Sequence, residues 1–399
     1  MILFLTLQLG GKTGVFKSAL DVLSALLATD ESVTVVSGRG DKSDKLPPFL
    51  NGVDTGRVFL KHLPAVFNFS GMSFFKPVKT VFILVDFVVF FFRRLLLRSF
   101  MQPELILVNG LCSHDVWNSI EIKTDAPKVL IVRESPRHFL SPTASRDLDW
   151  ALGVMAEYDH YVFVSSNCRD EWGSMDALKN IPCDYIPNCC EEEKARQLLE
   201  NDKARSKHSL GLPSDRFLIM CIGSLQPRKG QDIVIENLAA IVQEIPQALV
   251  CFVGADPLCW KQDLEKKVEQ SGLTGYVRFF LEQSCALEWI YAADALLLAS
   301  RAEAMPRVVL EAMVLKTPVV AAEVDGVSEL IEHERTGWLF SHENVGDMVS
   351  GLKAATSADL SSEIVQEASM TYWTQFSRKF LVERYCLALE KIKRVQGGD

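Results

Sequence analysis

The sequence predicts an α/β protein with two parallel, doubly wound sheets, each belonging to one Rossmann-like domain. Short apolar runs alternate with longer helical patterns in the first half of the chain: "ILFLTLQL", "SVTVVSG", "ELILVNG", "KVLIVRES" and "HYVFVSS". The alternation stops in the charged segment 189–215 and then starts again with "RFLIMCIGS", "QALVCFVGA", "YVRFFLE", "ALLLAS" and "TPVVAAE". Ligands of such sheets bind at the carboxyl ends of the strands, so we expect a cleft between the domains.

Composition bounds the class of protein. The 399 residues are 48% hydrophobic and 23% charged, with a net charge of −9, which argues against general affinity for nucleic acids. Ten cysteines without a C-x-x-C pair indicate reduced, buried thiols, as in a cytoplasmic protein. The N-terminal apolar run lacks a preceding positive charge and a small-residue cleavage site, which favours a buried strand over a signal peptide.

The stretch "LTLQLGGKTG" ends like a phosphate-binding P-loop, with Gly11, Lys12 and Thr13. The first glycine of a Walker A loop would stand at position 6, where this chain has Thr6, and an apolar strand runs on to Leu9. A P-loop ATPase is therefore disfavoured. Two interpretations of Gly10-Gly11 remain open: a turn that lets a ligand approach the backbone, or a strand-to-helix turn that needs positive φ.

The strongest candidate site is "ALLLASRAEAMPRVVLEAM", residues 295–313. A helix is predicted after Pro306, and residues 302–305 offer no Ser, Thr, Asn or Asp as a cap. The first amides, around Arg307 and Val308, would suit a phosphate or diphosphate. Glu303 and Glu311 would suit the hydroxyls of a sugar or ribose, although spacing equally allows a solvated loop residue and a helix-favouring residue.

This segment resembles the E-x7-E signature of the retaining GT-B glycosyltransferases of glycosyltransferase family 4. Other segments resemble that family in the same order: "LGGKTGVFKSALDVLSALL", "IPNCCEEE", "GSLQPRKGQDIVIENLAAI", "VCFVGADP" and "PVVAAEVDGVSELIEHERTGWLF". The resemblance implies a GT-B fold with two Rossmann-like domains facing across a cleft. Residues 1–190 would bind the acceptor and residues 191–375 the donor, with a C-terminal helix at about 376–399 packing back on the first domain.

The activity that the resemblance implies is retaining transfer of a sugar from a nucleoside-diphosphate sugar, with UDP-hexose expected, to a glycan or lipid-linked acceptor in polysaccharide or glycoconjugate biosynthesis. Lys229 and Arg228 would neutralise the diphosphate, Glu303 would contact the sugar, and Glu311 would hold the ribose. Many members have an arginine where this chain has Ser224. The implied donor-binding residues are Gly10, Gly11, Ser224, Arg228, Lys229, Gly254, Ala304, Met305, Pro306, Arg307, Val308 and Glu311.

One departure concerns the catalytic residues. Many members have a histidine after the strand that matches "KVLIVRES", whereas this chain has Arg133 and Glu134. We expect these two residues, with Glu303, to be catalytic, and His114 and His138 are alternatives. The mechanism usually drawn for the family gives the acceptor's proton to the leaving phosphate, so we expect no metal and no other cofactor. Asp147-Leu148-Asp149 fits a metal-binding string but lies in a helix-like segment.

Residues 57–101 are basic and rich in phenylalanine. Their apolar run at 81–92 is shorter than the ~20 residues that span a bilayer. Arg93, Arg94 and Arg98 could face an anionic membrane, which would suit a lipid-linked acceptor and a place on the inner face of the membrane. The alternative is a helix buried against the N-terminal sheet.

Other classes of function remain as alternatives. A nucleotide-sugar epimerase shares the two-domain architecture, and a non-catalytic protein that binds nucleotide sugars would explain the missing histidine. We expect no nucleic acid among the partners of this protein.

Overall fold

The chain forms two parallel sheets in the computed structural model, which describes residues 1–9, 14–29, 32–40, 58–62, 102–120, 122–140, 144, 146–175, 178–281 and 285–397. Within these ranges, the predicted class of two doubly wound α/β sheets is confirmed. Each sheet is built from short, almost continuous apolar runs, as expected where helices cover both faces.

The first sheet contains seven strands among the described residues, in the order β3-β2-β1-β4-β5-β6-β7, and all pairs are parallel. The order along the chain reverses between β1 and β4. The strands are β1 (Ile2–Leu9), β2 (Val33–Gly40), β3 (Val58–His62), β4 (Leu105–Asn109), β5 (Lys128–Val132), β6 (His160–Phe163) and β7 (Cys183–Tyr185).

The second sheet has the order β10-β9-β8-β11-β12-β13, again parallel throughout, and it reverses between β8 and β11. Its strands are β8 (Phe217–Ile222), β9 (Ala248–Val253), β10 (Val277–Phe280), β11 (Ala295–Leu298), β12 (Val319–Ala322) and β13 (Trp338–Phe340). Loops diverge where strand order reverses, so each sheet opens a crevice at the carboxyl ends of its central strands.

Among the described residues, helices lie in most of the connections between successive strands. In the first half they are α1 (Gly14–Leu27), α2 (His114–Ile120), α3 (Pro136–Phe139), α4 (Leu148–Met155) and α5 (Ser166–Gly173). Those that follow are α6 (Glu192–Leu199), α7 (Lys203–Ser209), α8 (Gln231–Glu236), α9 (Leu238–Glu244), α10 (Lys261–Ser271), α11 (Ala286–Ala292), α12 (Arg307–Leu315), α13 (Gly346–Ala355), α14 (Ala358–Gln375) and α15 (Arg378–Gly397).

The connection between the sheets is helical, with α6 and α7 in the charged segment. The last helix, α15, returns to the first half of the molecule and packs on α1. Its Lys391 Nζ lies 3.0 Å from Asp184 Oδ1 on β7. The division into domains 1–190 and 191–375 stays a prediction, and the first sheet ends and the second begins on either side of residue 190.

Several predicted residues lie outside the described part of the chain. They are Gly10, Gly11, Lys12, Thr13, Arg93, Arg94 and Arg98. Across the residues that are described, no helix combines the length and apolarity needed to cross a bilayer. The glycine turn and the membrane-facing arginines therefore stay predictions.

Gly254 follows β9, at a point where the backbones of two neighbouring central strands approach each other closely. A Cβ on this residue would lie 2.1 Å from the carbonyl oxygen of Gly223, which follows β8. Gly254 also has a φ of 155°, a conformation that side chains disfavour. The glycine is therefore explained by close approach of backbones.

We predict that Gly254→Ala lowers the free energy of unfolding by ~2–4 kcal/mol, because the new methyl group must displace the backbone of Gly223. Urea unfolding without ligand measures this change. Gly275→Ala is the matched control, since nothing lies within 4 Å of its Cβ position, and it should stay within ~0.5 kcal/mol of the wild type. Equal midpoints for the two variants would contradict the prediction.

Candidate functional site

A cavity of about 550 Å³ lies where the crevices of the two sheets face each other. This volume is in the range of small-molecule sites. Its walls come from both halves of the chain, as the sequence predicts for a cleft. The lining residues are Ser18, Asn109, Gly110, Cys112, Ser113, Arg133, Glu134, Ser135, His138, Asn188, Ile222, Gly223, Ser224, Arg228, Lys229, Ala302, Glu303, Ala304, Met305, Pro306, Arg307 and Val308.

Lys229 and Arg228 form the cationic wall of the cavity. They lie on a 3-10 turn, Pro227–Lys229, which follows β8 and ends at Gly230 with a φ of 68°. A Cβ on Gly230 would lie 1.9 Å from the carbonyl oxygen of Ala299, so this turn sits directly against the end of β11. The glycine thereby brings both cations next to the loop that follows β11.

Glu303, on that loop, lies between the two cations. Its Oε1 forms an ion pair with Lys229 Nζ and accepts a hydrogen bond from Ser300 Oγ at 2.8 Å. Arg228 Nη1 lies 3.8 Å from the other carboxylate oxygen. Burial raises the pKa of Glu303, but Lys229 and Arg228 outweigh it and hold the pKa below its usual range. The cavity therefore contains a carboxylate that stays charged.

The helix α12 begins at the same loop. Pro306 stands at its N-cap and no side chain caps its first turn, as the sequence predicts. The partial positive charge of this helix start adds to the charges of Lys229 and Arg228. Three independent features thus favour an anion in this part of the cavity.

The side chains of Arg307 and Glu311 point to the other half of the molecule. Arg307 Nη1 forms an ion pair with Asp21 on α1, and Lys17 Nζ on α1 lies 3.1 Å from Glu311 Oε1. Glu311 is 2% exposed and does not line the cavity. Its contact with a ribose stays a prediction, and in this arrangement Lys17 occupies the carboxylate.

Arg133 also joins the two halves. Its Nε donates to Asn109 Oδ1 at 2.6 Å and its Nη1 donates to Asn188 Oδ1 at 2.7 Å. The Nδ2 of Asn188 in turn donates to the carbonyl oxygen of Met305 at 3.1 Å. Arg133 lines the cavity, but these bonds make it a bridge between the strand ends and the Met305 loop, and its catalytic role stays a prediction.

Glu134 and His138 face the cavity from the first half. The carboxylate of Glu134 accepts the backbone N–H of Arg133 at 3.1 Å and that of Leu111 at 3.4 Å, and burial raises its pKa. Burial, together with the charges of Arg228 and Lys229, lowers the pKa of His138 to about 4, although Glu303 opposes this. His138 is therefore a neutral side chain beside the cationic wall.

The other predicted candidates lie elsewhere. His114 is buried away from the cavity, with its Nδ1 2.9 Å from the Tyr158 hydroxyl and its Nε2 2.9 Å from Asn118 Nδ2. Asp147 caps α4 by accepting the N–H of Trp150 at 2.9 Å, which explains the Asp-x-Asp string. No cluster of metal-ligating side chains is found among the described residues.

Sequence reasoning missed Asn109 and Asn188, which line the cavity. Gly254 is not among the lining residues, and its contact with the donor stays a prediction. Asn109 is the polar last residue of a buried strand, a position that points to a site in a parallel sheet. Asn188 stands in the Pro-Asn segment quoted for the family resemblance. Both signals were present in the sequence.

Part of the chain is similar to a known family of proteins. Residues 202–369 match the family model described as Glycosyl transferases group 1. This region contains Arg228, Lys229, Glu303 and Glu311, and it lies within the half that was expected to bind the donor.

Curated relatives are more distant. D-inositol 3-phosphate glycosyltransferase 2 of Catenulispora acidiphila is 29% identical over 187 residues, which are 43% of this chain and 44% of that protein. The lipopolysaccharide core biosynthesis mannosyltransferase LpsB of Rhizobium meliloti is 28% identical over 259 residues, 64% of this chain and 70% of that protein. The chain thus spans less than half the length of the first of these relatives in the alignment.

Solved structures match the whole described architecture. HepE of Anabaena, crystallised with UDP and glucose, has a TM-score of 0.70 and 20% identity, with 98% of this chain and 99% of HepE covered. WaaG, a glycosyltransferase involved in lipopolysaccharide biosynthesis, has a TM-score of 0.69 and 16% identity, with both chains fully covered. The fold is GT-B.

We predict that Arg228→Met raises the pKa of His138 from about 4 toward the ordinary value of 6.5, because it removes the positive charge that, after burial, lowers this pKa most. NMR titration of the His138 ring, assigned with His138→Gln, measures the pKa. Arg335→Met is the control, because this exposed arginine pairs with Glu332 and Glu367 away from the cavity.

The same pKa shift determines how the stability of the protein changes with pH. The folded state has the lower pKa, so the unfolded state binds more protons and stability falls as pH drops from about 6.5 to 4. His138→Gln should make stability less sensitive to pH in that window. A His138 pKa near 6.5 in the unmodified protein would contradict both expectations.

Proposed function

We propose that this protein is a retaining glycosyltransferase of family 4 that transfers a hexose from UDP-hexose to a glycan or lipid-linked acceptor. One observation carries the proposal: a single cavity holds two cations, an uncapped helix start and a charged carboxylate opposite polar groups of the other domain. A nucleoside-diphosphate sugar has matching parts, with two phosphates next to a ring of hydroxyls.

The diphosphate would lie against Lys229, Arg228 and the start of α12. Lys229 has lost most of its contact with water, and burial lowers its pKa despite the neighbouring Glu303. A diphosphate beside Lys229 would raise this pKa. Fixed cations in a cavity of low polarity stabilise the negative charge that develops on the leaving phosphate, and in this proposal they replace a metal ion.

The sugar would lie beside Glu303. A carboxylate that is already oriented by Lys229 and Ser300 still has acceptor capacity for sugar hydroxyls. The bound ligands of HepE, which is solved with UDP and glucose and with UDP-glucose, support the choice of a UDP-hexose. The LpsB name supports an acceptor from polysaccharide or lipopolysaccharide assembly.

Transfer would break the bond between the sugar C1 and the β-phosphate oxygen and form a bond from C1 to the acceptor oxygen on the same face. The acceptor's hydroxyl proton would pass to the leaving phosphate oxygen, so the charges balance without a protein nucleophile. Glu134 and His138, across the cavity from Glu303, are placed to contact the sugar or the acceptor.

We expect UDP and one UDP-hexose to raise the melting temperature in a thermal-shift screen of nucleotide sugars, equally with and without magnesium, since bound ligand stabilises the folded state. Anomeric configuration in the transferred product, read by NMR, tests retention. No stabilisation by any nucleotide sugar, or stabilisation that needs magnesium, would overturn the proposal.

The variant Lys229→Met tests where UDP binds. It should weaken UDP binding by ~1–3 kcal/mol because a charged partner of the diphosphate is lost. Calorimetry gives the affinity. Lys266→Met is a matched control, since Lys266 is exposed on α10. Unchanged UDP affinity in Lys229→Met would remove the donor site from this wall.

The proposal also places the protein in the cytoplasm, with peripheral contact to the inner face of the membrane through Arg93, Arg94 and Arg98. We predict that the protein sediments with anionic liposomes at low salt and that the triple change to glutamine reduces the bound fraction several-fold, since each basic residue contributes ~1 kcal/mol at an anionic surface. Neutral liposomes are the control. Equal binding to both kinds of liposome would exclude this contact.

A further inference from the structure

A turn of the donor half holds the backbone of Glu303. The turn follows β12 and forms a 3-10 helix, Asp325–Val327. The Oδ2 of Asp325 accepts the N–H of Glu303 at 2.8 Å. The carbonyl oxygen of Glu303 accepts the N–H of Gly326 at 3.1 Å. Both backbone polar groups of Glu303 are thus bound to two successive residues of one turn.

The turn is also in direct steric contact with the Glu303 loop. A Cβ on Gly326 would lie 1.8 Å from the carbonyl oxygen of Ala304. Asp325 itself has a φ of 40°, the left-handed region in which glycine is at ease and side chains are strained. The chain keeps a carboxylate at a position where a glycine would relieve strain, which indicates that the carboxylate is used.

The side chain of Asp325 is fully shielded from solvent. Burial raises its pKa, and the N–H of Glu303, the hydroxyl of Ser135 and the charge of Arg137 oppose that rise. Oδ1 has no hydrogen bond of good geometry within the described part of the chain, although Arg137 Nε lies 3.2 Å from it. A buried carboxylate with an incompletely satisfied oxygen is unfavourable for stability in itself. Among the described residues, the backbone N–H of Glu303 donates a well-aligned hydrogen bond to this carboxylate.

The turn rests on the acceptor half of the molecule. Asn167, in the first turn of α5, donates from Nδ2 to the carbonyl oxygen of Asp325 at 2.8 Å. Arg137, on α3, is the neighbour of the cavity-lining His138. A shift of the acceptor half would therefore be transmitted to the backbone of Glu303 through Asp325.

We infer that Asp325 is a positioning residue for sugar transfer: its carboxylate, seated on the acceptor half, fixes the backbone of Glu303 so that the Glu303 side chain stays on the donor sugar. The inference rests on the proposed function for its kinetic consequence. Its structural part, the fixing of the Glu303 loop, does not depend on that function.

Two variants separate the carboxylate from the backbone conformation. D325N keeps an acceptor oxygen, and asparagine tolerates the left-handed region, whereas D325G keeps the conformation and removes the acceptor. With the full-length protein, amide hydrogen exchange of the segment 300–306 should be unchanged in D325N and about tenfold faster or more in D325G. This readout needs no substrate.

Kinetics with UDP-glucose, as transfer or as donor hydrolysis, should show kcat lower by about tenfold or more in D325G and within about threefold of the wild type in D325N. The calorimetric affinity for UDP should be unchanged in both, because UDP lacks the sugar that Glu303 contacts.

Three results would overturn the inference: unchanged exchange in D325G, unchanged kcat in D325G despite faster exchange, or a loss of UDP affinity as large as the loss of kcat. If the wild type turns over no nucleotide sugar, the proposed function fails, and the exchange data still decide whether Asp325 fixes the loop.

Discussion

Two buried ion pairs between α1 and α12 join the halves of the molecule beside the cavity. Lys17 and Asp21 are one helical turn apart on α1, and Arg307 and Glu311 are one turn apart on α12, with opposite charges facing. Such an arrangement fixes both distance and register between helices. Because Glu311 and Asp21 are nearly inaccessible to water, removing either cation would leave a buried charge, which is strongly unfavourable.

The same ion pairs lie at the edge of the proposed donor site. Lys17 lies 2.9 Å from Glu191 as well as 3.1 Å from Glu311, and these two carboxylates raise its pKa despite burial. If Glu311 binds ribose hydroxyls as proposed, the ribose must share the carboxylate with Lys17 or replace it. Glu191 gives Lys17 a second partner within reach, so release from Glu311 would not strand the cation. If the ribose replaces Lys17, donor binding and this contact between the halves are alternatives at one carboxylate.

The sequence was informative wherever a residue's environment is local. Central strands such as β8 and β9 are buried on both faces and therefore appear as continuous apolar runs, and Pro306 marks the start of α12. The strands that were not predicted, β3, β7 and β13, all lie at sheet edges, where one neighbour suffices and a short run such as Cys183–Tyr185 carries little pattern. The assignment of Gly254 to the donor stays a prediction, because close backbone approach and ligand approach both require glycine and sequence cannot separate them.

The hydrogen bonds and ion pairs of the site could not be predicted, because they join residues that are distant in sequence. Glu303 was predicted as a site residue from its place before a helix. The groups that hold it are Lys229, which follows β8, and Asp325, which follows β12. Arg133 shows the converse: a cation next to a strand end suggests substrate contact, but its guanidinium bonds to Asn109 and Asn188. A charged residue at the end of a parallel strand can therefore either meet the ligand or tie neighbouring loops together.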